Sequence, residues 1–521
     1  MHGYMNKASK KHASTPKYVS PNQLVLDGFS TPFDKELNPE NRWVVLAHLI
    51  PWDDICNLYI KQVGVSSTGR PGISPRVVIG SLIIKHLCNL DDRETVDHIS
   101  ENIYMQYFLG YSGFTNETPF DPSLFVEFRK RLGMKNVNAI NERIVSIKTG
   151  IESVRRATIS GPEKDTISDD DDHEPENKGR VIFDATACPQ DIAYPTDLNL
   201  LSEAREMTEK VIDMLHNPTL HKRKPRTYRV VARKRFLQTA QKKNKSRKEI
   251  RKAVGSQLRF LKRNLNSIEN LLDAHLTMPL TPKYLKYLMV INTLYDQQKS
   301  MYNSCSHSVD DRIVSIHQPH VRPIVRGKTQ AKVEFGAKIH VSVIDGISFL
   351  DELSWDAFNE GSHMMDYVEQ YRKRFGCYPR ELLADQIYCN RANRAALKEK
   401  GIKLLAKPLG RPSAVTVHVS PGERNPIEGK FGQAKTGYGL NRIKARLQGT
   451  SETWIACIIL VLNLVKLAGA STPCLLVNMV VSFSARLSAK VLTLFATVKD
   501  QQIILCPGLL ESGQFNTCWS P

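Results

Sequence analysis

Acidic side chains are nearly missing from one stretch of this 521-residue chain. Positions 222–263 carry eighteen Lys and Arg against a single acid, Glu249. A mixed, salt-bridged surface helix needs both signs of charge, so this window reads instead as a polyanion-binding arm. Other absences narrow the class further. The ten cysteines include no Cys-x-x-Cys pair and no Cys/His spacing suited to zinc, which argues against a zinc module and for free thiols in a reducing cytosol. The opening residues, MHGYMNKASKKHAS, lack the apolar core of a secretory leader. The longest apolar run, Trp454 to Val465, contains Asn463 and falls short of the roughly 20 residues that cross a bilayer. We expect a buried helix there, no membrane partner and a cytoplasmic protein.

What is present suits a globular protein of several domains. Hydrophobic residues make up 41% and charged residues 24%, and the formal charge of +19 makes nucleic acid the expected partner. Residues 1–30 are polar and expected to be flexible. From 31 to 135 the pattern is helical: Ser74-Pro75 and Asp121-Pro122 read as helix starts, and Asp91 to Glu94 as a capping box. Short helices with tight connections, one ending in Arg129-Lys130-Arg131, predict a helix-turn-helix-like DNA-binding domain. Residues 136–179 form a connector. It holds an acidic linker whose Asp169 to Asp172 read as a solvated run.

Strand-like sequence starts at Arg180 and continues, with interruptions, to about 470. The interruption, at about 203–320, is a helical insertion carrying the basic arm, with an antiparallel hairpin seamed by Leu258, Leu261, Leu265, Ile268 and Leu272. Asp345-Gly346 reads as a turn between strands. The alternation of strands and helices predicts a mixed α/β sheet. Residues 471–521 form an atypical tail.

Three acids stand out within this region. Asp184 interrupts the apolar strand Val181-Ile182-Phe183. Asp385 ends the run Leu382-Leu383-Ala384. Glu428 lies in the basic, glycine-rich RNPIEGKFGQAKTGYG. A carboxylate among apolar strand residues is costly unless it is paired or binds metal, and strand ends are where open α/β sheets place ligands. Brought together by a sheet, these acids could hold a pair of divalent ions for phosphoryl transfer. Arg424, Glu428 and Lys435 share one helical face, an acid flanked by two bases that suit phosphate. Asn425 and Pro426 read equally well as a helix cap and first residue, with Glu428 at the capping-box position. Asp197 reads as a cap or turn residue; Asp191, Asp345 and Asp351 read as surface or turn acids.

The segments around Asp184, Asp385 and Glu428 resemble the DDE transposases of bacterial insertion sequences, in the broad group that includes insertion-sequence families four and five. The final acid of that group sits in the pattern Tyr-(2)-Arg-(3)-Glu-(6)-Lys. Here Arg424, Glu428 and Lys435 keep the spacing, and Pro421 stands where the Tyr would be. RVVIGSLIIKHLCNLDDRETVDHISENIYMQYFLG and DRIVSIHQPHVRPIVRGKTQAKVEFGAKIHVSVIDG resemble the same proteins, so the likeness covers roughly 30–470. It implies an RNase H-like core, two Mg²⁺ (or Mn²⁺) ions held by Asp184, Asp385 and Glu428, and phosphates gripped by Arg424 and Lys435. It also implies binding of terminal inverted repeats and target DNA as a homodimer, and cleavage and strand transfer near the bacterial nucleoid. Lys242, Lys243, Arg247 and Lys248 of the basic arm are the further DNA-binding candidates. The alternative is an inactive or repurposed copy that binds DNA without cutting it.

Overall fold

The computed structural model describes residues 36–63, 72–149, 176–325, 333–406 and 421–469. The flexible N-terminus, the acidic run Asp169 to Asp172 and the C-terminal tail expected from sequence lie outside these residues. The first part is helical: α1 (Arg42–Leu49), α2 (Trp52–Val63), α3 (Pro75–Leu87), α4 (Asp92–Glu101), α5 (Ile103–Leu109) and α6 (Leu124–Thr149). The capping box at Asp91 forms as expected. Its carboxylate accepts from the amides of Arg93 and Glu94, and Glu94 accepts from Asp91 N–H. Asp121-Pro122 leads into a turn before α6, which breaks helical geometry at Gly133 with φ of +67°.

A mixed sheet follows. Strand β1 (Arg180–Pro189) is long. Four helices then intervene: α7 (Asp197–Leu215), α8 (Arg229–Ala240), α9 (Arg247–Leu272) and α10 (Pro282–Ser304). The sheet resumes with β2 (Arg322–Val325), β3 (Val333–Ile344) and β4 (Ile347–Ser354). After α11 (Met364–Phe375) come β5 (Glu381–Leu383), α12 (Arg391–Glu399) and β6 (Lys403–Leu405). Helices α13 (Asn425–Gly437) and α14 (Gln448–Leu467) close the described chain. β3 runs antiparallel to both β1 and β4, and β2 pairs antiparallel with the start of β3. β5 runs parallel to β1, and β6 parallel to β5. Across the sheet the order is therefore β4-β3-β1-β5-β6, with β2 beside β3.

The apolar run noted in the sequence is α14, and it is a core helix. Among the described residues it alone is long and apolar enough to cross a membrane, and most of it is buried inside the protein. Its side chains join Trp43, Ile83, Phe108 and Phe125 of the N-terminal helices and Ile182, Val341 and Leu383 of the sheet in one hydrophobic cluster. Asn463, which interrupts the run, is fully used: it accepts from Ser348 N–H (2.8 Å) and donates to the Ser348 carbonyl (2.7 Å) and to Asn141 (2.8 Å). The hydrophobic seam of α9 packs on α7 and α10, as the hairpin expectation required, with α7 as an added partner.

One charge expected at the surface is inside. Arg129, in the basic triplet that suggested DNA contact, is 3% exposed and grips Asp92 with two hydrogen bonds (2.9 and 2.8 Å). Lys85, 1% exposed, meets the same carboxylate at 2.9 Å and lies over the Trp454 ring. Burial pulls the Lys85 ammonium down to about 8 despite Asp92. Asp351, read from sequence as a surface or turn acid, is a second correction. Its side chain is completely buried on the sheet and accepts from Ser342 (3.1 Å); against the opposing effect of burial, Arg374 (2.5 Å) and His340 (3.0 Å) hold its carboxyl below the ordinary range. Local sequence showed the turn at Asp345, where φ is +50°, but not the partners that the sheet brings to Asp351.

Candidate active site

β1 alternates its side chains. Val181 and Phe183 enter the cluster beneath α11, where Phe183 meets His340 and Tyr367 edge to face. Ile182 and Asp184 point to the other side. Because β5 runs parallel to β1 and next to it, the residue just past the end of β5, Asp385, arrives beside Asp184. Asp385 caps the short 3-10 turn Gln386–Tyr388, accepting from Gln386 N–H at 2.8 Å.

Arg424 lies between the two acids. Its guanidinium donates to Asp385 at 3.0 Å and stands 3.6 Å from Asp184. Arg180 anchors the approach to α13 by pairing with Glu423, and it also reaches Glu381 of β5 (3.7 Å). Burial is the main influence on Asp184 and pushes its carboxyl above the ordinary range, and Asp385 adds to that. The Ala185 amide and Arg424 oppose it. A half-buried acid raised by its surroundings, beside a second acid and under one cation, is a site held ready for positive charge.

Glu428 is placed differently. α13 begins at Asn425, with Arg424 as its cap residue, so the expected Asn425 cap is displaced by one position. Pro426 tolerates either register, because the first helical amides have no intrahelical partner. Glu428 is exposed on the outer face of α13 with Gly429 and Gly432, where an added Cβ would meet nothing within 4 Å. Among the described residues no three His, Cys, Asp or Glu side chains converge closely enough to hold a metal ion. Asp184 and Asp385 are thus brought together, and Glu428 stands outside the pair, one turn along the helix that Arg424 begins. Lys435 is half-buried in the last turn of α13. The arm residues are exposed, Lys242 and Lys243 in the loop before α9 and Arg247 and Lys248 in its first turn, with Lys242 paired to Glu249.

Tyr388 belongs to this neighbourhood and was not singled out in the sequence. It is buried, its hydroxyl has no partner among the described residues, and burial followed by the Asp184 charge pushes its pKa upward. Its position three residues after Asp385 was the available signal. Asp197 and Asp191, by contrast, are taken by Arg312 (2.6 Å) and Arg442 (2.9 Å).

Residues 31–131 match a transposase domain (DUF772), and residues 382–465 match a transposase DDE domain. The second match spans Asp385, Arg424, Glu428 and Lys435. An uncharacterized protein, ORF8 in the nfe locus of Rhizobium meliloti, is 31% identical over 184 residues, which is 35% of this chain and 77% of that protein. No solved structure matches. The chain belongs to the DDE transposases of insertion sequences.

Proposed function

We propose that this transposase binds the terminal inverted repeats of its element and catalyses cleavage and strand transfer at one site, with Asp184, Asp385 and Glu428 as the catalytic acids. The observation that carries this is the convergence of Asp184 and Asp385, 201 residues apart in sequence, on the Arg424 guanidinium. The strand order supports an RNase H-like core: three antiparallel strands followed by two parallel ones, with the first acid within the central strand and the second just past its parallel neighbour.

The donor set fits a hard divalent cation, since Mg²⁺ is usually held by one or two carboxylates together with substrate phosphates. Asp184 and Asp385 would hold the first of two Mg²⁺ (or Mn²⁺) ions, with Glu428 completing the set. Bound there, the metal supplies an activated oxygen nucleophile and stabilises the leaving oxygen. Arg424 and Lys435 bind the phosphates around the scissile bond. The bare glycines at 429 and 432 let a sugar-phosphate backbone approach α13 closely. The N-terminal helices (31–135) and the basic arm, through Lys242, Lys243, Arg247 and Lys248, bind duplex DNA. Two copies pair two element ends, acting in the cytoplasm on nucleoid DNA.

The test is incubation of the purified protein with Mg²⁺ and a DNA fragment carrying the gene's own flanks, beside Asp385→Asn. Cleavage at a defined flank by the wild type alone is expected. A second reading, a copy that binds DNA without cutting it, is favoured by the position of Glu428 outside the acid pair. It predicts binding by both proteins and cleavage by neither.

A further inference from the structure

The helical insertion carries two surfaces that the described residues leave uncovered. α8 rests on α7 and α9, yet Ala232 is its one buried residue. Its outward face, at helical spacing, is Val230, Arg233, Lys234 and Leu237, followed by Gln238 and Gln241. Val230 is 78% exposed. Arg229 pairs with Asp213, but Arg233 and Lys234 have no carboxylate partner among the described residues.

The second surface is a groove of about 470 Å³ between α9 and α10. Leu265, Leu272, Leu288 and Tyr295 form its apolar lining. Glu269, Asp273 and Asp296 also line it; all three are exposed, and none has an ion pair among the described residues. In a chain of formal charge +19, three acids left without a cation beside an apolar groove await one from outside. Lys262, eleven residues before Asp273 on α9, marks the opposite end of the groove.

The two surfaces are complementary. Val230 to Gln241 and Lys262 to Asp273 each advance eleven residues along a helix, about 16 Å. With α8 laid antiparallel to α9, Arg233 and Lys234 meet the acids and the uncharged Gln238 and Gln241 meet Lys262. Val230 and Leu237 then fall on the leucines. This is a helix-in-groove contact, anchored at i, i+3, i+4 and i+7. α8 does not serve the groove of its own chain. Gln257 donates to the Ala232 carbonyl at 3.0 Å and fixes α8 to one side of α9. Glu269, twelve residues further on, faces about 120° around the helix from Gln257.

We infer that the outward face of α8 docks in the α9–α10 groove of a second copy of this chain. Both surfaces belong to the same insertion, so a twofold pair satisfies both contacts at once. The inference rests on the proposed pairing of two copies and gives that pairing a surface. Lys242, Lys243, Arg247 and Lys248 lie beyond the end of α8 and stay available to DNA.

Sedimentation velocity of the nuclease-treated full chain at low salt tests this. The wild type should be a dimer that loosens as salt screens the exposed charges. Arg233→Glu with Lys234→Glu, or Glu269→Lys with Asp273→Lys, should each weaken the dimer by about 100-fold or more, because like charges then face one another. Mixing the two double variants should restore a dimer, since every contact again joins opposite signs. A misfolded variant would not be rescued in this way. A monomeric wild type, a dimer unmoved by either reversal, or no rescue on mixing overturns the inference. Loss of duplex binding in the α8 variant with its dimer intact assigns that face to DNA and overturns it equally. Cleavage of flanking DNA is scored in parallel. A wild type that cleaves as a monomer overturns the surface and leaves the transposase reading standing. A dimer rescued by charge exchange that neither binds nor cleaves DNA upholds the surface and overturns the DNA reading.

Discussion

Arg424→Gln should tighten divalent-metal binding in the absence of DNA while slowing cleavage when DNA is present. The guanidinium sits 3.0 Å from Asp385 and 3.6 Å from Asp184, where a cation bound to both acids would go. Two unit charges about 4 Å apart interact by about 4 kcal/mol at an effective dielectric of 20. That figure is an upper bound. Asp385 is more than half exposed, and its share falls to about 1 kcal/mol or less. A net ~1–2 kcal/mol released by a displaced guanidinium corresponds to a roughly 5–30-fold gain in metal affinity when it is absent. The assay is calorimetric titration of Mn²⁺ into the DNA-free protein, with Asp184→Asn as the control that should lose binding. It should be run at mildly alkaline pH, because removing Arg424 takes away one of the influences that hold the Asp184 carboxyl down against burial. Equal or weaker Mn²⁺ binding by Arg424→Gln would refute competition between the side chain and the metal.

Four other outcomes follow from the same geometry. Asp184→Asn or Asp385→Asn should abolish cleavage of flanking DNA while leaving binding by gel shift nearly intact; lost binding would point to misfolding. Neutralising Lys242, Lys243, Lys245, Arg247 and Lys248 together should weaken duplex binding and flatten its dependence on salt, read from binding constants across a salt series. Asp92→Ala should lower the unfolding free energy by about 3 kcal/mol, because Lys85 and Arg129 would stay buried without their carboxylate; a denaturant midpoint equal to wild type would contradict this. The Lys85 ammonium, held at about 8 in the fold against 10.5 when free, leaves the unfolded chain with more bound protons between those values. Its contribution to stability therefore rises with pH across that window, and Lys85→Met should remove that part of the slope in thermal melts.

Asp184 and Asp385 were legible in the sequence because each breaks an apolar strand, where an unpaired carboxylate is costly. Arg424 was legible as a base near an acid four residues on, but not as the group joining two strands. That depends on β5 lying beside β1 and on Arg180 fixing Glu423, neither of which is local. The same reason hid Asp351, whose partners come from β3 and α11. The one-residue displacement at the start of α13 has a different cause, since proline accepts either of the first helical positions. Arg129 was misleading because a cation buried on a carboxylate and an aromatic ring looks, in sequence, like one facing solvent.

The burial of α14 within a core shared by the N-terminal helices and the sheet has a mechanical meaning. Asn141 of α6 and Ser348 of β4 are tied to the same Asn463 side chain. If the N-terminal helices hold the duplex, recognition and cutting are separated by a fixed length of protein. The chain would then work as a ruler, with the distance from the recognised bases to the broken phosphate set by hydrophobic packing and not by a hinge.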